Sequence, residues 1–319
     1  MREPPHHPLA WPHAARTGLR AFPTRLSIST HEGTSAFQTV KDTPMATKKK
    51  TAPESRPLAL VTGASSGIGL ELARQFVQNG FDLLIAAEDA GIQQARTELS
   101  TDGARVEALQ VDLATYDGVE QLYAKVRDSG RPVDALAVNA GVGVGGDFAR
   151  ETDLKAELNL IQLNITSSVH LTKRVVKDMV ARGEGRILIT SSIAAVLPAP
   201  LEAVYGASKA FLQSFAEALR NELKDAGISV TSLMPGPTET NFFHRAGMDD
   251  TRVGQQEKDD PAQVAKEGFE ALMAGKDKVV AGSLTNKMMA ASTRVLPDAA
   301  KTAMHRHMSE KDPKASHDS

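Results

Sequence analysis

The feature that most restricts what this chain can fold into is a strand that runs straight into a glycine-rich turn. Leu58-Ala59-Leu60-Val61-Thr62 is a continuous apolar run, and Gly63-Ala64-Ser65-Ser66-Gly67-Ile68-Gly69 follows at once. Residues 70–79 then carry apolar side chains at helical spacing, closed by Gly80. A strand that is apolar at every position is buried on both faces, as in a parallel sheet covered by helices. A turn this rich in glycine lets backbone N–H groups and a helix start come close to a ligand, as a pyrophosphate requires. The alternation then repeats. Apolar runs at 82–86, 105–111, 133–138, 186–190, 228–234 and 278–281 read as strands, and stretches at 90–100, 119–127, 153–181, 207–223 and 261–273 as helices. Seven strands with helices between them predict an α/β fold with a doubly wound, mainly parallel seven-stranded sheet and helices on both faces.

Composition narrows the chemistry. A chain of 319 residues with a 41% hydrophobic share suits a soluble globular protein with one large α/β domain. No uninterrupted apolar run approaches the ~18 residues of a membrane span, so no transmembrane segment is expected. There are no cysteines, which removes disulfides, thiolate nucleophiles and cysteine-based metal sites and fits a reducing, cytoplasmic setting. Of the nine histidines, His6, His7 and His13 lie near one end, His305, His307 and His317 near the other, and no His-Glu-x-x-His pattern occurs. No metal site is expected.

The charge is unevenly spread. Residues 1–56 hold nine Lys and Arg against four acids, whereas the remainder holds 28 basic and 35 acidic side chains, a net of −7. An acidic body argues against nucleic acid as a partner. Residues 1–56 lack periodicity, are rich in Pro, His, Thr and Ser, and read as disordered. Two readings of this stretch stand side by side: a transit peptide, or a natural start at Met45, before Ala-Thr-Lys-Lys-Lys, with the first 44 residues not part of the natural protein. The second is preferred.

A second constellation lies downstream. Residues 186–190 end at Ser191-Ser192, and after Tyr205 and Lys209 the side chains Ala210, Phe211, Ser214, Phe215, Ala218 and Leu219 fall at helical spacing. Tyr205 and Lys209 are then one turn apart on one face. An ammonium beside a phenol favours the phenolate, so the Tyr205 pKa is expected to fall from its usual ~10 toward working pH. Such a phenol can pass a proton to or from a substrate oxygen. Ser192, thirteen positions earlier, ends the strand where its hydroxyl can hold that same oxygen. Alone, Tyr-x-x-x-Lys is more simply a tyrosine anchoring a helix and a lysine on a wet face. The rest of the chain tips the reading.

Taken together, these motifs resemble the short-chain dehydrogenase/reductase family, in its single-domain branch, over residues 57 to about 282. The resemblance is carried by Thr62-Gly63-Ala64-Ser65-Ser66-Gly67-Ile68-Gly69, Asp112, Asn139-Ala140-Gly141, Asn164, Ser192, Tyr205, Lys209 and Pro235-Gly236-Pro237-Thr238-Glu239-Thr240, in the family's order and at its spacing. It implies a Rossmann-type domain and an NAD(P)-dependent oxidoreductase that moves a hydride between nicotinamide and a carbonyl or secondary alcohol. It places Ser65 and Ile68 at the cofactor phosphates, Asp112 at the adenine, Asn139 and Ala140 near the ribose, and Thr238 and Thr240 near the carboxamide. Gly63, Ser66, Gly67, Gly69, Leu113, Gly141, Pro235 and Gly236 complete the implied binding set.

By the same resemblance, Asn164, Ser192, Tyr205 and Lys209 form a catalytic tetrad. Tyr205 exchanges the proton, and Lys209 lowers its pKa and binds the nicotinamide ribose. Ser192 holds the substrate oxygen, and Asn164 positions a water linking Lys209 to solvent. At the end of the second strand stands Ala86-Ala87-Glu88-Asp89. NADP-preferring relatives carry a basic residue at the position of Glu88 or within the glycine turn, and NAD-preferring ones an Asp at the position of Ala87; neither is present. A carboxylate at Glu88 repels a 2′-phosphate and can accept from a 2′-hydroxyl, which favours NAD(H).

Substrate choice is expected to fall to residues 142–146, 193–204 and a loop over 240–260, whose Phe242, Phe243 and Met248 suggest an apolar lid and an apolar small-molecule substrate. The phenylalanines can equally seat the loop on the core, and His244 is expected to be exposed. Residues 283–319 read as an extension in which Leu284, Met288, Met289, Ala291, Val295 and Leu296 form an amphipathic helix, followed by a solvated tail. That helix either anchors to a membrane surface or, preferably, packs on the domain or on a second subunit. Relatives pair through the helices bearing Asn164 and Tyr205, so a homodimer or homotetramer is expected. Two other classes share the fold: a non-catalytic nucleotide sensor, which usually loses the Tyr or Lys, and a dehydratase or epimerase.

Overall fold

The computed structural model describes residues 56–101, 103–292 and 296–313. The extension preceding Arg56, with both readings of its origin, lies outside the described residues, as do Arg294, Val295 and the end of the tail.

Strand β1 (Leu58–Thr62) leads through the glycine turn into helix α1 (Gly67–Gln78). Then follow β2 (Asp82–Ala87), α2 (Gly91–Leu99), β3 (Val106–Gln110), α3 (Tyr116–Asp128) and β4 (Ala135–Val138). Helix α4 (Leu154–Ile161) continues through a π-helical turn (Gln162–Thr166) into α5 (Ser167–Arg182), which leads to β5 (Gly185–Thr190). The second half holds α6 (Ala203–Leu223), β6 (Ile228–Pro235), two short helices α7 (Phe242–Arg245) and α8 (Arg252–Gln255), then α9 (Pro261–Met273) and β7 (Lys278–Ala281). Helices α10 (Leu284–Ser292) and α11 (Asp298–Ser309) end the described chain. The seven strands form one sheet in the order β3-β2-β1-β4-β5-β6-β7, and every neighbouring pair is parallel. The expected α/β fold is therefore present.

Alternation along the strands sends side chains into two layers. Ala59 and Val61 face a core with Leu72 and Phe76 of α1, Ile92 of α2 and Phe269 of α9. Leu58 and Leu60 face the other core, with Leu122 of α3, Leu171 and Met179 of α5 and Leu212 of α6. Phe76 meets the rings of Phe81 and Phe269 edge-on, each at 5.1 Å between centroids. Helix ends carry the expected signals. Asp260 caps α9 by accepting from Ala262 N at 2.9 Å, with Pro261 at its first position, and Gly183 ends α5 at φ +76°.

Because strand order reverses between β1 and β4, the crossovers on either side of them diverge and leave a crevice at their carboxyl ends. Three local features differ from the sequence reading. The helix expected at 153–181 contains the π turn, centred on Asn164. Helix α6 begins at Ala203, which puts Tyr205 inside its first turn; Gly206 hides this start, yet Gly206 is where the helix rests on Ala199, since a Cβ there would fall on the Ala199 methyl. The single helix expected after residue 283 is two, because Pro297 cannot continue the first and instead opens α11.

Candidate active site

The carboxyl ends of the central strands open into a cavity of about 610 Å³, inside the range of roughly 300–1,000 Å³ usual for small-molecule and cofactor sites. One end is the glycine turn. Gly63 adopts φ +66° and Gly67 φ +54°, and a Cβ on Gly67 would stand 2.8 Å from the Thr240 methyl. Any larger residue would close the passage between the turn and the loop after β6. Ser66, at the N-cap of α1, makes no side-chain capping bond, so the first N–H groups of this helix are left for a ligand. A pyrophosphate fits this combination of open passage and uncapped helix.

The strand ends are braced by a small polar cluster. Thr62 Oγ1 accepts from Asn139 N at 3.0 Å and Ala140 N at 3.1 Å. The Asn139 amide donates to Thr62 O at 3.2 Å and accepts from Thr190 Oγ1 at 3.1 Å. Asn139 thus ties β1, β4 and β5 together. Asp112 Oδ1 accepts from Ala114 N at 2.8 Å, which fixes the turn after β3, and Thr238 Oγ1 donates to Gly236 O at 2.9 Å after β6. Every residue expected to hold the cofactor, from Gly63 through Glu88, Asp112, Leu113, Asn139, Ala140 and Gly141 to Pro235, Gly236, Thr238 and Thr240, lines this cavity.

Tyr205, Lys209 and Ser192 line it too; Asn164 does not. Lys209 Nζ donates to Thr190 O at 3.0 Å and lies 5.7 Å from the centre of the Tyr205 ring. Ser192 caps a short 3₁₀ turn (Ile193–Val196) by accepting from Ala194 N at 3.1 Å, and its hydroxyl acts to lower the pKa of Tyr205. Asn164 is fully buried and bonded on both sides: Oδ1 accepts from Val142 N at 2.9 Å, while Nδ2 donates to Val142 O at 2.9 Å and Ser208 Oγ at 3.0 Å. Its side chain therefore clamps the loop after β4 onto α6. Gly141 keeps that junction tight, since a Cβ would stand 3.1 Å from Asn164 Oδ1 and 3.5 Å from Lys209 Nζ.

Electrostatics correct the reading of Tyr205. Its pKa is raised, not lowered: burial dominates, the charge of Glu202 adds to it, and only the Ser192 hydrogen bond pulls the other way. Burial also brings Lys209 down to about 8, from an ordinary value of 10.5. Spacing brings the two groups together as expected, but the environment that sets their acidity comes from elsewhere in the chain.

That environment is a roof made of α7, α8 and α11. The Phe242 ring tilts against Tyr205 at 5.2 Å, and Phe243, Met248 and Val253 form a small core with Phe242 and Met308 of α11. The flap phenylalanines thus do both things expected of them, since they line the cavity and seat the loop. Arg252 Nη1 donates to His307 O at 2.8 Å and pairs with Glu310 at 3.2 Å, fastening α8 to α11. His244 is exposed and pairs with Asp249 at 2.7 Å.

Glu202 and Arg245 fall within stretches expected to choose the substrate but had no named role, and His305 and Ser309 lay outside the sequence-derived site. Arg245 of the flap forms an ion pair with Glu88, so a basic group does stand at the end of β2, supplied from far along the chain. Glu202, His305 and Ser309 are buried together beside Tyr205. An acid among the apolar residues before Tyr205 was a visible signal; nothing local marked the other three.

The model of the short chain dehydrogenase family matches residues 57–251. Oxidoreductase UcpA of Salmonella typhimurium (strain LT2) is 31% identical over 215 residues, covering 67% of this chain and 79% of the relative. Among solved structures, a short-chain dehydrogenase from Sphingobium yanoikuyae in complex with NADPH superposes with a TM-score of 0.66 at 30% identity, covering 70% of this chain and 87% of that one. A 3-ketoacyl-(acyl-carrier-protein) reductase from Brucella melitensis complexed with NADH does so with a TM-score of 0.62 at 25% identity, covering 70% and 95%. The matched segment runs from β1 to the start of α8, through the glycine turn, the polar brace and the Tyr205–Lys209 helix, and on this agreement of sequence with architecture the chain belongs to the short-chain dehydrogenase family.

Proposed function

We propose that the protein is a nicotinamide-dependent oxidoreductase that interconverts a carbonyl and a secondary alcohol on a small molecule. The observation that carries this reading is that Tyr205, Ser192 and Lys209 line the same cavity as the glycine turn at the strand ends. Residues Gly63, Ser65, Ser66, Gly67, Ile68 and Gly69 would hold the phosphates of the dinucleotide, Glu88 its adenosine ribose, and Asp112 and Leu113 the adenine. Asn139, Ala140, Gly141, Pro235, Gly236, Thr238 and Thr240 would hold the nicotinamide half. When bound, the nicotinamide supplies or accepts the hydride. Structural neighbours bound to NADPH and to NADH support either dinucleotide, and the Arg245 partner of Glu88 removes much of the reason to favour NAD(H).

Tyr205 gives its proton to the substrate oxygen, and Ser192 holds that oxygen and steadies the charge growing on it. A phenol whose pKa is raised is protonated at neutral pH and so can donate to a substrate oxygen. Lys209 keeps positive charge beside the ring and reaches the cofactor's ribose. Asn164 is a positioning residue that acts through Val142 and Ser208. Exposed Leu154 and Leu158 on α4 and Phe211 on α6 support pairing of subunits through these helices. The lack of cysteine supports a cytoplasmic setting; among the described residues no helix is long and apolar enough to cross a membrane.

The test is stoichiometric consumption of NADH or NADPH across a panel of ketones, repeated with Tyr205→Phe. Turnover is expected to fall at least ~10²-fold in the variant. Near-normal turnover in Tyr205→Phe would overturn the assignment, and no cofactor consumption with any ketone or secondary alcohol would overturn the activity.

A further inference from the structure

Glu202 stands at the start of a helix and caps nothing. It is the N-cap residue of α6, and its side chain makes no bond to the N–H groups of the first turn. The residue before it, Leu201, is held at φ +65°, the left-handed region that a branched side chain rarely enters. Backbone strain of this kind persists where the surroundings over-determine it, and it is common at ligand sites. Here it carries Glu202 into the wall of the cavity.

The carboxylate is only half satisfied. Oε2 accepts from Ser309 Oγ at 3.0 Å and lies 3.3 Å from His305 Nε2. Oε1 has no hydrogen-bond partner among the described residues. The side-chain polar atoms that are both sealed and unbonded belong to Glu157, Thr172 and Arg182, so Oε1 of Glu202 is not sealed in protein. Glu202 is only 7% exposed and is among the residues that line the cavity, so its free oxygen opens there. Among the described residues no Lys or Arg pairs with it. His305 is buried, with a pKa lowered by burial. A buried acid with one free oxygen, one turn from Tyr205 and acting against the phenolate, hinders the site unless a ligand uses it.

We propose that Glu202 is a specificity-determining residue, whose free oxygen accepts a hydrogen bond from a hydroxyl or ammonium group on the substrate. This rests on the oxidoreductase reading above. Glu202 precedes Tyr205 by three residues, lines the same cavity, and its charge acts on the Tyr205 phenol, so the donor group stands close to the carbonyl that Tyr205 serves. Ile193, Leu197, Phe242, Val253, Met289 and Met308 add apolar wall to the same cavity. The substrate class is therefore an apolar skeleton with a carbonyl and a neighbouring donor: an α- or β-hydroxy ketone, or the corresponding amino ketone.

Acetophenone, α-hydroxyacetophenone and α-aminoacetophenone provide matched probes. For each, binding is measured by calorimetry with the full chain saturated with oxidised cofactor (NADP+ or NAD+), which cannot reduce the ketone, and kcat/KM by consumption of NADPH or NADH. The wild type is expected to favour both donor-bearing ketones, and Glu202→Gln to cut that advantage about tenfold or more for the amine and less for the alcohol, as for loss of a charge-assisted bond. Ser309→Ala, which removes the partner of Oε2 alone, retains the order of preference. Equal binding of the three probes by the wild type, discrimination that survives Glu202→Gln, or discrimination erased as fully by Ser309→Ala would each overturn the proposal. Should the binding preference follow Glu202 while no ketone is turned over, the donor site stands and the oxidoreductase reading falls.

Discussion

Arg245 and Glu88 stand 157 residues apart in the chain and form an ion pair between the flap and the end of β2. Both side chains are about half exposed, 48% and 47%. The pair neutralises the carboxylate that would otherwise oppose a 2′-phosphate. Arg245→Ala is expected to lower the preference for NADPH over NADH, and Glu88→Gln to raise it. Exposed pairs contribute about 1 kcal/mol or less, so each shift in the ratio of kcat/KM values is about twofold to fivefold. Ratios that move together, or not at all, would show that the pair lies outside the reach of the ribose.

Lys209 gives a signed pH dependence. Its folded pKa, about 8, lies below the ordinary 10.5, so the buried ammonium is destabilising. That penalty is complete below about pH 8 and disappears as pH rises toward 10.5, where the unfolded chain loses its proton as well. Lys209→Met should therefore stabilise the fold more at pH ~7 than at pH ~10.5, by up to about 3 kcal/mol, while turnover drops at least ~10²-fold. Urea unfolding at the two pH values, beside steady-state rates, reads both effects; a stability gain independent of pH would contradict the burial.

Glu202 runs the other way. With a folded pKa of about 7 against an ordinary 4.5, it is proton-bound in the folded state through a window where the unfolded chain has already released its proton. Wild-type stability should fall as pH climbs from about 4.5 to 7 and then level off, by up to about 3 kcal/mol from this group. In Glu202→Gln that component is absent. The difference between the two unfolding curves isolates it, and parallel curves would mean that the carboxyl is not perturbed.

Thr62 is 1% exposed and satisfies two backbone N–H groups with one hydroxyl. Thr62→Val keeps the shape and strands both donors, which should destabilise the protein by about 2–4 kcal/mol. Because those donors belong to Asn139 and Ala140, dinucleotide affinity should weaken with it. Unfolding and fluorescence titration measure the two losses, and an unchanged protein would mean that other acceptors take over.

Much of the architecture is legible from local pattern. β1, β2 and β4 are buried along their whole length, so each reads as an unbroken apolar run. Tyr205 and Lys209 meet because four residues make one turn. What sequence spacing cannot carry is the medium around a group. The acidity of Tyr205 follows from its burial and from Glu202, whose own partner, Ser309, stands 107 residues away. Asn164 was visible as part of a motif, but its pair of hydrogen bonds with Val142, 22 residues back, depends on how the loop after β4 lies over the π turn. Arg245 reaches Glu88 only because the flap folds across the crevice, and no local pattern announces that.

Helix α11 returns to the cavity from beyond residue 251, where the match to the family model stops. The reacting groups and the far wall of the pocket are thus carried on separate stretches that can diverge independently. Two descendants of one ancestor could keep an unaltered hydride-transfer apparatus and part ways in diet through changes at 298–309 alone. Grafting that helix onto a kindred scaffold is the corresponding engineering route to a new appetite.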